Sequence, residues 1–118
     1  MAYIRCASGG GATFEEVWTN LSPSANFANQ TVSIDLSGYD YVCVAVKGAP
    51  TDSNTIGADS VHSIGLFPVP CSSAEIVCYG QNLRTLNVTT SGVQFVSGSS
   101  AARVIPIKIF GVKGLSLT

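Results

Sequence analysis

His62 is the single histidine in 118 residues, so any nucleophilic triad with an imidazole base has to use it. Asp52, Asp59, Ser60 and Ser63 lie near it in sequence. A triad is defined by geometry, however, and four ordinary loop residues beside one histidine do not make one. The expectation is a half-exposed histidine at the start of a strand. The four cysteines, Cys6, Cys43, Cys71 and Cys78, contain no pair at zinc-site spacing. Cys43 sits in the most apolar stretch, and the simplest expectation is free thiols with small apolar side chains, with no metal. One disulfide is the alternative.

Seven carboxylates are available for paired acid and base work: Glu15, Glu16, Asp35, Asp40, Asp52, Asp59 and Glu75. Glycoside hydrolysis needs two of them about 5 to 10 Å apart. Asp35 and Asp40 flank Ser37-Gly38-Tyr39, where an aspartate is useful for bonding its own backbone, so the expected role is structural. Ser8-Gly9-Gly10-Gly11-Ala12 is glycine-rich but has neither the Lys-Ser/Thr of a phosphate-binding loop nor a βαβ setting. None of these groups points to an enzyme or a cofactor.

The totals exclude some partners. Net charge is −1 and only 11% of residues are charged, which leaves no basic field for nucleic acid or anionic lipid. No uncharged apolar run approaches the roughly 20 residues of a membrane helix, so no membrane insertion is expected. The start, "MAYIRCASGGG", lacks the apolar stretch of a secretory signal, so synthesis in a cytoplasm is expected. Asn20-Leu-Ser22, Asn29-Gln-Thr31 and Asn87-Val-Thr89 are formal glycosylation acceptors, expected to be chance matches in a hydroxyl-rich chain.

The elements that must position these residues are strands. Val32, Ile34 and Leu36 alternate with Thr31, Ser33 and Asp35, the period of a strand with one wet face. Ser37-Gly38 supplies a turn, and Tyr41 to Val46 is apolar on both faces, which predicts a central strand. Further strands are predicted through Val17-Trp18, over Val61–Val69, over Ala74–Tyr79 and in a hairpin that sets Leu86 and Val88 against Val93 and Phe95. In "RVIPIKIFGVKG", Ile105, Ile107 and Ile109 are expected to face one way, and Pro106 predicts a sheet edge or a bulge. The fold class is therefore all-β: an antiparallel β-sandwich, jelly-roll-like, of about seven or eight strands. Residues 1–12 read as a strand and glycine-rich lead-in, and 13–118 as a single domain.

Two blocks resemble a known type of protein. "WTNLSPSANFANQTVSIDLSGYDYVCV" resembles the opening, and "RTLNVTTSGVQFVSGSSAARVIPIKIFGVKG" the ending, of small β-domains in virion structural proteins of tailed phages and prophages of gut Gram-positive bacteria. Together they cover about half of the chain; residues 48–80 have no counterpart. The resemblance implies a non-enzymatic tail, baseplate or fibre component, located in the virion. It also implies a homo-oligomer, with a trimer favoured, whose partners are other virion proteins or a host-surface glycan. A free-standing carbohydrate-binding or lectin-like module is the alternative. For a bound glycan, the turns and the long loop nominate Tyr39, Asp40, Asp52, Asn54, Asp59 and His62.

Overall fold

The computed structural model describes residues 4–6, 11–25, 27–48, 61–79, 82–96 and 104–117. Among them are ten strands: β1 (Ile4–Cys6), β2 (Thr13–Thr19), β3 (Gln30–Ser33), β4 (Tyr41–Gly48), β5 (Val61–Pro68), β6 (Cys71–Tyr79), β7 (Asn82–Thr89), β8 (Gly92–Val96), β9 (Val104–Lys113) and β10 (Leu115–Leu117). Two four-stranded antiparallel sheets, β2-β9-β4-β5 and β3-β8-β7-β6, form a β-sandwich, and β1 pairs with β10 in a short ribbon. The pairs β2–β9 and β3–β8 nest as they do in a jelly roll, one in each sheet. The hairpins β4–β5 and β6–β7 complete the sheets.

The core lies between the sheets and follows the alternation of the sequence. Val42, Val44 and Val46 of β4 meet Leu86 and Val88 of β7, Val93 and Phe95 of β8 and Val32 of β3, all buried. β4 is central, paired with β5 on one side and β9 on the other, and on its second face Cys43 is buried against Val112 and Leu115. In the β7–β8 hairpin Leu86 faces Phe95 and Val88 faces Val93.

Pro106 lies on a central strand, where its missing N–H is accommodated by a bulge. Ala45 pairs with Lys108 but Val46 pairs with Pro106, so Ile107 is the extra residue. A one-residue insertion reverses the facing of everything beyond it. Ile109 and Val104 therefore both reach the core, while Ile105, opposite Lys47, faces the other side of the sheet. The expected common face for Ile105, Ile107 and Ile109 is corrected accordingly. Asn20 secures the bulge: its N–H donates to the Ile107 carbonyl at 2.9 Å and its Nδ2 to the Pro106 carbonyl at 2.8 Å.

The outer faces of the two sheets differ. On β2-β9-β4-β5, cross-strand neighbours form the rows Phe14, Val112, Tyr41, Pro68 and Glu16, Phe110, Cys43, Leu66, followed by Lys108, Ala45, Ile64. Leu115 of β10 covers Cys43 and Val112, but Phe14 remains 52% and Ile64 72% exposed. On β3-β8-β7-β6 the outward positions are mostly polar, among them Thr31, Ser33, Gln94, Asn87, Thr85 and Glu75, with Val77 exposed beside them. Asn87 there donates to Gln94 at 3.0 Å and accepts from the Ser73 N–H at 2.8 Å.

Candidate functional site

Tyr39 and Asp40 sit in the connection from β3 to β4, at the end of the sheet where Tyr41 pairs with Pro68. His62 is exposed on the outer face of the same sheet, opposite Lys47, six residues along β5 from Pro68. At about 3.3 Å per residue that is roughly 20 Å away. The structure therefore places His62 at the opposite end from Tyr39 and Asp40. Asp52, Asn54 and Asp59 lie outside the described residues. Among the described residues, no three His, Cys, Asp or Glu side chains come together as a metal site.

Tyr39 is half-buried and has a packing role. Its ring lies against Gly111 of β9, where a Cβ would come within 2.5 Å of the ring. Its hydroxyl donates to Glu15 Oε2 at 3.1 Å, and the Lys113 ammonium lies 5.1 Å from the ring centroid. Burial, the Glu15 hydrogen bond and the charges of Glu15 and Asp35 push its phenol up. Asp40 is held through its backbone, donating to Val112 and accepting from Val69, both at 3.0 Å.

Asp35 behaves as the turn chemistry dictates. Its Oδ1 accepts from the Ser37 hydroxyl at 2.6 Å and the Ser37 N–H at 3.1 Å. Those bonds, the hydroxyl first, hold its carboxyl below the usual carboxylate range, so it is ionised at neutral pH. The chain from Ile34 to Leu36 runs beside the tip of the β7–β8 hairpin, with Ile34 N–H donating to Ser91 at 3.0 Å and Leu36 N–H to Thr90 at 2.8 Å. Leu36 is fully buried and anchors that connection. Between the two segments lies a recess of about 390 Å³ lined by Ser33, Ile34, Asp35, Thr90 and Ser91. Sequence spacing gives no sign of it, because its two walls are more than fifty residues apart.

Arg84 is also invisible to composition. It projects into the sandwich beside Leu86 and Val88 and is 1% exposed. Its guanidinium donates to the carbonyls of Val104 at 3.1 Å and Phe27 at 2.7 Å and to Asn29 Oδ1 at 3.0 Å, and it lies 5.2 Å from the Phe27 ring centroid. Phe27 in turn makes edge contacts with Trp18 at 6.0 Å and Phe95 at 5.4 Å, which ties the loop before β3 to the core. Burial lowers the pKa of Arg84 without removing its charge. All three formal glycosylation asparagines are engaged: Asn20 at the bulge, Asn29 with Arg84 and Asn87 with Gln94.

Cys43 and Cys71 are free thiols, and Cys78 is buried in the core cluster; the Cys6 side chain lies outside the described residues. Burial pushes all three thiols up, which favours the protonated, unreactive form at neutral pH. Cys43 should react with Ellman's reagent roughly a hundredfold more slowly in the native protein than in urea. Rapid native reaction of Cys43 would contradict the burial described.

The chain was compared with protein-family models, with curated proteins and with solved structures, and none of the three comparisons gave a match.

Proposed function

We propose that this chain is a non-enzymatic adhesion or structural domain of a phage or prophage tail, which assembles with copies of itself, as the trimer that the family resemblance favours, and attaches to a host-surface glycan. The observation that carries the assembly is the outer face of β2-β9-β4-β5, where Phe14 on β2 and Ile64 on β5 stand exposed at opposite edges of the half-buried Tyr41, Leu66 and Phe110, which pack around Leu115. Large apolar side chains left in water on one sheet face favour contact with another protein surface. A second copy fits because the face carries little net charge: Glu16 and Lys108 within it already pair at 2.7 Å. The hydroxyl and amide groups of the opposite sheet stay in water in such an assembly.

Assembly also accounts for how a shallow site could hold a cell. Three weak sites on one rigid body gain roughly 10² to 10⁴ in avidity over one. The test is adhesion of the wild-type chain and of Ile64→Asp to a panel of gut Gram-positive bacteria. Ile64 is solvent-exposed, so the substitution leaves the fold intact and buries a charge only in the assembly. Loss of adhesion by at least tenfold supports the reading, and no adhesion by either protein contradicts it. Equal adhesion of a monomeric wild type and the variant would favour the free-standing carbohydrate-binding module.

A further inference from the structure

From the recess between the β3–β4 connection and the β7–β8 hairpin tip, we infer a binding site for a neutral sugar, with Asp35 accepting from two of its hydroxyls. This inference rests on the adhesion reading and gives it a location that differs from the residues nominated by sequence position.

The first argument is rigidity. Both walls are laced to one another by the Ile34–Ser91 and Leu36–Thr90 backbone hydrogen bonds, and Thr89 Oγ1 accepts from the Ser91 N–H at 3.1 Å. Gly92, at φ 150°, brings the hairpin against the Val32 carbonyl with no room for a Cβ. A wall held this way needs no ordering when a ligand arrives, which reduces the cost of binding.

The second argument is chemistry. Ser33, Thr90 and Ser91 offer hydroxyls that both donate and accept, Asp35 offers an ionised acceptor, and half-buried Ile34 offers an apolar surface. A pyranose presents the complementary set, with hydroxyls at its edge and C–H groups on its face. The Asp35 carboxylate disfavours phosphate, sulfate or an acidic sugar by like charge, and one carboxylate is too few for a calcium site. The recess is an open surface depression of about 390 Å³, so a sugar seated in it keeps one side in water.

The test is a titration of the isotope-labelled chain followed by amide NMR, with glucose, galactose, N-acetylglucosamine and rhamnose as probes and glycerol as the non-sugar control. At least one sugar should shift the amides of residues 33–35 and 90–91 together, with glycerol having no such effect. Asp35→Asn keeps the turn, since asparagine also bonds its own backbone, and should weaken that sugar at least tenfold; Ser91→Ala should weaken it less. Shifts confined to other residues, or no shift with any sugar, overturn the recess. If the wild type and Asp35→Asn adhere to bacteria equally, the recess is overturned while the adhesion reading stands. If neither adheres and no sugar shifts the recess, both fail.

Discussion

Gly92→Ala should be the most damaging single-methyl change in the described structure. The residue has φ 150°, in the region where only glycine is unstrained, and a Cβ there would overlap the Val32 carbonyl oxygen. That carbonyl belongs to the strand paired with Gly92 through Ser33 and with Val93 through Val32. The added methyl must force either the hairpin tip or β3 to move. Backbone strain of about 1–3 kcal/mol, together with about 1 kcal/mol for each ladder hydrogen bond lost, gives roughly 3 kcal/mol. For a domain of this size that lowers the melting temperature by roughly 12 °C. Calorimetry should show this drop, and because the hairpin forms one wall of the recess, any sugar binding there should be lost even at temperatures where the variant is folded. A change under about 1 kcal/mol would mean that the hairpin approach is not as close as described.

The second large effect is expected at Arg84. Replacing it with methionine keeps much of the stem volume but removes the donors to the Val104 and Phe27 carbonyls and to Asn29. Desolvating the guanidinium costs stability in the native protein, so its removal recovers something. The carbonyls left without a donor cost more, at about 1–3 kcal/mol for each buried group. The net expectation for Arg84→Met is a loss of roughly 3 kcal/mol. Arg84→Lys keeps the charge but not the fork, and a single ammonium cannot serve Val104 and Phe27 at once, so a loss of roughly 2 kcal/mol is expected. Chemical denaturation measures both variants. A methionine variant as stable as wild type would show that the guanidinium is not a strut between the loop before β3, the start of β9 and the core.

The strands were legible because burial on one face imposes a period of two, and the turn residues Ser37-Gly38 and Thr90-Ser91-Gly92 fall between the alternating runs. Both faces of Tyr41 to Val46 are apolar, and that alone placed β4 in the middle of a sheet. Pro106 announced an irregularity, but not that the bulge would fall at Ile107 and reverse the facing of Ile105. That depends on which β4 residue pairs with which β9 residue, a non-local fact. Arg84 shares its parity with Leu86 and Val88, so the alternation did point it inward; the ordinary preference of charge for water argued the other way. The partners that overcame that preference, Phe27, Asn29 and Val104, come from two other parts of the chain.

The candidate site was the least legible part. Tyr39 and Asp40 were nominated with His62 because all three lie in or next to turns, yet strand pairing separates them along the sheet. Tyr39 is spent on Gly111, Glu15 and Lys113. The recess is assembled from Ser33–Asp35 and Thr90–Ser91, segments that only the β3–β8 pairing brings together. No local spacing encodes such a meeting. The apolar outer face likewise exists only once β2, β9, β4 and β5 are ordered side by side, since Phe14 and Ile64 are fifty residues apart.

Assembly through that face is the central claim, and the solution mass tests it most directly. Light scattering after size-exclusion chromatography should give about three times the 12.2 kDa chain mass for the wild type and the single-chain mass for Ile64→Asp. A wild type that stays at the single-chain mass across all concentrations would contradict the account.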